Sequence, residues 1–167
     1  MTEDALIRPL SQDRDLDAVV ALYAAAADYV LLESGPLPPS DLAQEFFTDA
    51  PPGGDPAEGE KLGLFRGGEL VGIADLAFGW PEARDAYLGL MILAPDARGA
   101  GLGTRFLHEV ERRAKARHAP RLLLAVLDAN PRGRTFWERH GFAVVMTFPP
   151  APIGERVHVR HRMEKRL

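Results

Sequence analysis

Apolar positions along this chain fall into blocks whose spacing switches between two residues, as in strands, and 3.6 residues, as in helices. Ala5-Leu6-Ile7-Arg8 reads as a short strand. Positions 11–28 read as a helix with an apolar stripe at Leu16, Val19, Val20, Leu22 and Tyr23. Ser11 or Asp13 can accept from its first-turn N–H groups, and Asp13, Asp15 and Asp17 stand where the helix dipole favours negative charge. Gly35-Pro36-Leu37-Pro38-Pro39 breaks the chain, and a second helix starts at Ser40 or Asp41 and runs to about position 48. The Pro/Gly/acid-rich stretch 50–60 is predicted to be a mobile surface loop.

Two apolar runs, 61–66 and 70–76, flank Gly67-Gly68, a hairpin signature. Then follow a strand over 85–93, a helix over 101–118 closed by Pro120, a strand over 121–127, and a helix over 131–140 capped by Asn130 and ended by Gly141. Residues 142–148 and 156–164 supply final strands. Leu102, Phe106, Leu107, Val110 and Ala114 share one face of the 101–118 helix and are assigned to the core, whereas Arg105, Arg112 and Arg113 are assigned to a solvated face.

A length of 167 residues suits a single domain over 1–167, and 46% hydrophobic with 26% charged residues is ordinary for a soluble globular chain. No apolar run reaches the roughly 20 residues that cross a bilayer, and the Met1-Thr2-Glu3-Asp4 start is unlike a signal peptide, so the cytoplasm is the expected compartment and no membrane partner is expected. Absence of cysteine excludes disulfides, thiolate metal sites and a cysteine nucleophile, and no metal is expected. The net charge of −4 hides an asymmetry: residues 1–60 carry thirteen acids against Arg8 and Arg14, net −11, and residues 61–167 carry eleven acids against eighteen Lys/Arg, net +7. The second half can attract an anionic cofactor. Nucleic acid is not an expected partner, because no basic cluster is interleaved with aromatics.

The basic half holds Leu93-Ala94-Pro95-Asp96-Ala97-Arg98-Gly99-Ala100-Gly101-Leu102-Gly103-Thr104, a glycine-rich turn joining a strand to an amphipathic helix. Glycines let the backbone approach an anion, and the free N–H groups of the first helical turn then point at it with the dipole behind them. Arg98 can add a charge-assisted hydrogen bond to a phosphate oxygen. An ordinary strand-to-helix loop would look the same. Downstream comes Asn130-Pro131-Arg132-Gly133-Arg134-Thr135-Phe136-Trp137-Glu138-Arg139-His140-Gly141-Phe142. Over residues 87–142 the paired segments resemble the GNAT superfamily of acyl-CoA-dependent N-acyltransferases, in its Val-x-Pro-x-x-Arg-Gly-x-Gly-x-Gly loop and its Asn-x-x-Ala-x-x-Phe-Tyr-x-x-x-Gly-Phe helix.

The resemblance implies an α/β (α+β) GNAT fold: a mixed, twisted sheet of about seven strands with helices on both faces, in which the strands on either side of the 101–118 helix splay to admit acetyl-CoA. It implies an N-acetyltransferase, with a small-molecule amine, a peptide N-terminus or a lysine as acceptor and room for a homodimer. It implies that Met91, Ile92 and Leu93 meet the pantetheine and thioester through backbone amides beside a bulge. It places Arg98, Gly99, Ala100, Gly101, Leu102, Gly103 and Thr104 at the pyrophosphate, and Asn130 near the pantetheine arm, where it is also a good N-cap.

At the family's usual tyrosine, the proton donor to the leaving thiolate, stands Trp137, whose indole N–H cannot surrender its proton at accessible pH. A thiol near pKa ~8.5 needs only about 2 kcal/mol of help to leave as thiolate at pH 7, whereas an alkylammonium near ~10.4 must lose a proton at about 4–5 kcal/mol. A base therefore matters more than an acid. The family's strand glutamate corresponds to about Tyr87, a poor base, leaving Asp75 and Glu33 as candidates beside their plainer readings as a hydrogen-bonded strand carboxylate and a solvated loop acid. His158 and His161 read as satisfied core or surface histidines. The acidic first 60 residues lie where the family forms its acceptor pocket, pointing to an amine or polyamine more than to an anionic acceptor. Two alternatives stand: a non-catalytic acyl-CoA-binding module of the same fold, and a Rossmann-like nucleotide binder with Asp128 as its ribose-binding acid.

Overall fold

The computed structural model describes residues 4–167. Among these the chain forms β1 (Ala5–Pro9), α1 (Gln12–Ala25), α2 (Ala27–Glu33), α3 (Pro39–Thr48), β2 (Glu60–Arg66), β3 (Glu69–Phe78), β4 (Ala86–Leu93), α4 (Leu102–Ala116), β5 (Arg121–Leu127), α5 (Pro131–Arg139), β6 (Ala143–Thr147), β7 (Ala151–Ile153), β8 (Arg156–His158) and β9 (Arg160–Arg166). Seven strands make one mixed sheet in the order β1-β2-β3-β4-β5-β9-β6, and β7 and β8 form a separate hairpin. All pairs in the large sheet are antiparallel except β4 with β5. Such a sheet excludes the Rossmann-like reading, which requires parallel strands throughout the binding half.

Each face of the sheet carries its own core. On one, Phe106, Leu107, Val110 and Ala114 of α4 and Trp137 of α5 pack on Leu62, Leu76, Leu88, Leu122, Leu124 and Met163. On the other, Val19, Leu22 and Tyr23 of α1, Val30 of α2 and Phe46 of α3 pack on Ile73 and Ile92. The predicted α4 stripe is buried throughout. Gly67 and Gly68, with φ of 59° and 81°, make the expected tight hairpin turn.

Four local readings need correction. The single strand expected over 156–164 is divided at Val159 into β8 and β9, which belong to different sheets. The 11–28 helix stops at Ala25, turns at Ala26 (φ −91°, ψ 30°), and restarts as α2. Ala26 is fully buried, so packing makes this break where the Ala-rich sequence carries no breaker. Neither Ser11 nor Asp13 caps α1 with its side chain. Asp15 reaches back instead, accepting from the Ser11 N–H at 2.9 Å and pairing with Arg8. Arg105 and Arg113 are not idle surface charges, since Arg105 donates to the Ala5 carbonyl and Arg113 bridges Glu109 to Glu60.

The start of the parallel β4–β5 pair is clamped by Arg121, whose guanidinium spans both oxygens of Asp85 (2.7 and 2.8 Å) and Glu164 (2.8 Å). Arg121 holds the Asp85 carboxyl below the usual carboxylate range. Stability from a carboxylate so lowered is complete above its unfolded pKa and is lost as pH falls through the folded value. Asp85→Asn should therefore cost about 1–3 kcal/mol in urea denaturation at neutral pH, with the gap between variant and parent shrinking below about pH 4.

Candidate active site

The parallel pairing of β4 and β5 covers three residue pairs, Ala86 with Leu122, Tyr87 with Leu123 and Leu88 with Leu124. Beyond them the strands part: β4 continues on β3 to Leu93, and β5 continues on β9 to Leu127. The parting begins at a bulge. Asp75 opposes Leu90 and Leu76 opposes Leu88, which leaves Gly89 without a partner on β3. The Ala94 N–H donates to the Val71 carbonyl at 2.8 Å. By the alternation of an antiparallel ladder, Ile92 also directs its N–H to β3, while Met91 and Leu93 direct theirs into the open wedge. Of the three expected donors, Ile92 is thus excluded by its backbone and has its side chain buried in the α1–α3 core.

The wedge leads to the glycine turn. Gly99 and Gly101 hold φ of 82° and 81°, which L side chains rarely adopt, and a Cβ on either would point into open space. Gly101 is the N-cap of α4 with no side-chain cap, and the first helical bond runs from the Arg105 N–H to its carbonyl. The N–H groups of Leu102, Gly103 and Thr104 find no acceptor among the described residues. Ala100 is exposed beside them. Leu102 sends its side chain into the core, so only its backbone faces the turn. Gly103 differs from the other two: a Cβ there would lie 3.4 Å from Phe136 of α5, so its small size serves helix packing.

On the α1–α3 face, a pocket of about 130 Å³ opens at the bulge, between Tyr23, Tyr29, Glu33, Glu45, Phe46, Asp49, Asp75, Gly89 and Leu90. Asp75 and Glu33, the two candidate bases, line it together. Asp75 is 7% exposed; its Oδ1 accepts from Lys61 Nζ at 2.8 Å, and Lys61 is held in turn by the Asp49 carbonyl at 2.7 Å. Its Oδ2 faces the bulge, where a Cβ on Gly89 would come within 3.3 Å. Burial raises the Asp75 carboxyl against the lowering pull of Lys61. Burial, and then Glu33, Glu45, Asp75 and Asp49, likewise push the Tyr23 phenol up. The field in the pocket is negative. Tyr87 shares this face but stands outside the pocket, edge-on to Trp80 at 4.7 Å, and burial raises its phenol, so it is no base at neutral pH.

A strand pair that parts at a bulge, leading to a helix N-terminus with unpaired N–H groups, joins both motif segments in one cleft. The model of the acetyltransferase (GNAT) family matches residues 21–142. The chain belongs to the GNAT family. It is 26% identical over 129 residues to the uncharacterized protein YdhI of Bacillus subtilis, covering 69% of this chain and 78% of YdhI. Its fold matches the crystal structure of a ribosomal-protein-alanine N-acetyltransferase from Brucella melitensis (TM-score 0.74, 23% identity, 97% and 99% of the two chains). It also matches the PaiA N-acetyltransferase of Thermoplasma acidophilum solved with coenzyme A (TM-score 0.70, 19% identity, 98% and 99% of the two chains).

Several GNAT motif residues hold partners of their own. Asn130 caps α5, accepting from the Gly133 N–H at 3.0 Å, and a Cβ on Gly133 would come within 2.5 Å of the Asn130 amide. The Thr104 hydroxyl lies 3.0 Å from His140 Nε2, while His140 Nδ1 donates to the Phe136 carbonyl at 2.8 Å, so of Thr104 the backbone N–H is left for an anion. Trp137 is 9% exposed, edge-on to Phe136 and Phe142 at 4.9 and 5.6 Å. His158 donates to the Leu32 and Glu33 carbonyls, and His161 meets Thr147 and Asp128, so both are satisfied and Asp128 is engaged.

The sequence reading missed the partner of Arg98. Its Nε donates to the Leu93 carbonyl and its Nη1 reaches Asp28 at the start of α2 at 2.6 Å. Asp28 thus holds the guanidinium that the resemblance assigned to the pyrophosphate. This pair is exposed and weak, so Asp28→Asn should tighten CoA binding about two- to threefold at low salt, an effect that calorimetry should find fading at high salt.

Proposed function

We propose that this protein transfers the acetyl group of acetyl-CoA to a primary amine by direct attack in a ternary complex. The observation that carries this reading is the acid-lined pocket opening at Gly89. It meets the wedge at the point where the Met91 and Leu93 N–H groups lack strand partners. The cofactor supplies an activated acyl thioester, and every other role falls to the chain. The N–H groups of Leu102, Gly103 and Thr104, beside Gly99, Ala100 and Gly101, hold the pyrophosphate, and Arg98 joins them once it leaves Asp28. Asn130 caps α5 beside the pantetheine arm. The wedge N–H groups polarise the thioester carbonyl, and one such donor is worth about 3 kcal/mol in the transition state.

Glu33, Glu45 and Asp49 concentrate the ammonium form of the acceptor in the pocket. Asp75 is the proton acceptor, because its Oδ2 faces the bulge and burial brings its pKa toward the working range of a base. A pocket of carboxylates at the thioester is needed by an enzyme and not by a module that only binds acyl-CoA. Release of free CoA from acetyl-CoA across amino acids, aliphatic amines and peptides bearing a free N-terminus or lysine tests the reading; a chain that binds CoA and releases none with any amine overturns it.

Asp75→Asn should lower kcat about a hundredfold near neutral pH, with partial recovery as rising pH deprotonates the amine in solution. Because that change strands Lys61 in a buried site, Asp75→Asn combined with Lys61→Met should show the same loss with a thermal midpoint closer to the parent. Trp137 is a wall and not an acid, so Trp137→Phe should keep most turnover and Trp137→Ala should lose more through packing. Trp137→Tyr should raise kcat by less than about tenfold, since thiolate departure needs little protonation at neutral pH. A gain of about a hundredfold would show leaving-group protonation to be limiting.

A further inference from the structure

Across the wedge from the acid pocket, the same sheet face carries surplus positive charge. Cross-strand partners share a face. Asp75 with Leu90, Ala77 with Tyr87, Tyr87 with Leu123, Ala125 with Arg162, and Leu127 with Arg160 therefore all point the same way. Arg162 flanks exposed Ala125 where β5 leaves β4, and Arg160 lies one step further along the opening. The Arg162 guanidinium sits over the rings of Trp80 and Phe148 at 5.1 and 5.2 Å, and Arg160 over Phe148 at 5.4 Å. Phe148 is fixed there by its N–H bond to the Arg160 carbonyl.

Nε of Arg162 is buried and has no hydrogen-bond partner, the one such side-chain atom among the described residues. A desolvated guanidinium N–H without an acceptor is costly, and a group of this kind calls for an explanation. Nearby carboxylates do not supply the partner. Both Asp85 oxygens and Glu164 are taken by Arg121, although Asp85 feels the charge of Arg162. Neither Arg160 nor Arg162 makes an ion pair or a side-chain hydrogen bond among the described residues; the other arginines that make none, Arg84, Arg117, Arg132, Arg139 and Arg166, are exposed, whereas Arg160 and Arg162 are half-buried.

We propose that Arg162, aided by Arg160 and flanked by Trp80, Tyr87 and Phe148, is a carboxylate subsite, and that the acceptor is a small amine that also bears a carboxylate, as an amino acid does. The inference rests on the amine-acetylation reading above and narrows it. β9 lies three strand spacings from β3, which carries Asp75, about 14 Å between backbones, and the Arg162 guanidinium spans part of that gap, reaching the ring of Trp80 that packs edge-on against Tyr87 of β4. An ammonium drawn to Asp75 and a carboxylate a few bonds away can therefore be held at once, and the fork of a guanidinium matches two carboxylate oxygens. The acid pocket alone would favour a polyamine; the unpaired arginine beyond it selects against a second positive charge.

Paired acceptors that differ only in the carboxylate, each L-amino acid beside its decarboxylated amine, test this. The parent protein should prefer the carboxylate member in kcat/KM by about tenfold or more, mostly through KM, and Arg162→Met should reduce that ratio to near one. Equal use of both members by the parent protein, a preference for polyamines, or an Arg162→Met variant that keeps the ratio would overturn the proposal. Binding separates its failure from that of the acetylation reading. With CoA present, N-acetyl amino acids should bind more tightly than the matching N-acetyl amines in calorimetry, and Arg162→Met should abolish the difference even if no amine is turned over. Absence of that difference in the parent protein, or its survival in the variant, counts against the subsite whatever the turnover.

Discussion

The rest of the site depends on the extra residue at Gly89. It ends the pairing of β4 with β5 and turns two backbone N–H groups into the gap. It also brings the pocket of the α1–α3 face to the same point. A Cβ at this position would come within 3.3 Å of the Asp75 carboxylate, so glycine leaves that oxygen undisturbed at the bulge. One inserted residue thus joins three features that lie on different elements: an opening for an extended cofactor, donors for a polarised carbonyl, and an acid beside them.

The acid side of the pocket is held in place from far along the chain. The last carbonyls of a helix lack partners of their own. Those of α2 find theirs on the small β7–β8 hairpin: Arg156 donates to Leu31, His158 to Leu32 and Glu33, and the Glu155 N–H to Ser34. At the hairpin turn Gly154 has φ of 56°, and a Cβ there would meet the Ser34 carbonyl at 2.6 Å. The position of Glu33 is therefore set by residues more than a hundred positions downstream. The two histidines do structural work, and both their rings are engaged at 7–8% exposure.

Charge divides this sheet face in a way that net totals hide. The acidic first half supplies Glu33, Glu45 and Asp49 to one side of the wedge, while the basic second half supplies both the glycine turn and the arginines of β9. Lys61 and Arg121 show how the fold treats charges it means to neutralise: each is clamped by well-formed partners. Arg162 lies against aromatic faces instead, where a cation is tolerated without being neutralised.

Local signals in the sequence were enough for the elements whose limits are set by near neighbours. The 3.6-residue stripe of α4, the Gly67-Gly68 turn, the strand 121–127 and the Asn130 cap are decided by neighbours a few residues apart, and each stands where the sequence placed it. The pairing of glycine turn with Phe-Trp helix was equally legible, because positive φ and close backbone approach restrict residue type. What the sequence could not show depends on partners distant in the chain. The break at Ala26 is made by burial, the β7–β8 hairpin by the end of α2, and the Arg98–Asp28 pair by elements 70 residues apart. Asp75 and Glu33 were legible as acids, but only the folded sheet decided that they line one pocket while Tyr87 stands outside it. Propensity and motif act within a turn or a strand, whereas pockets and ion pairs form between surfaces that folding alone brings together.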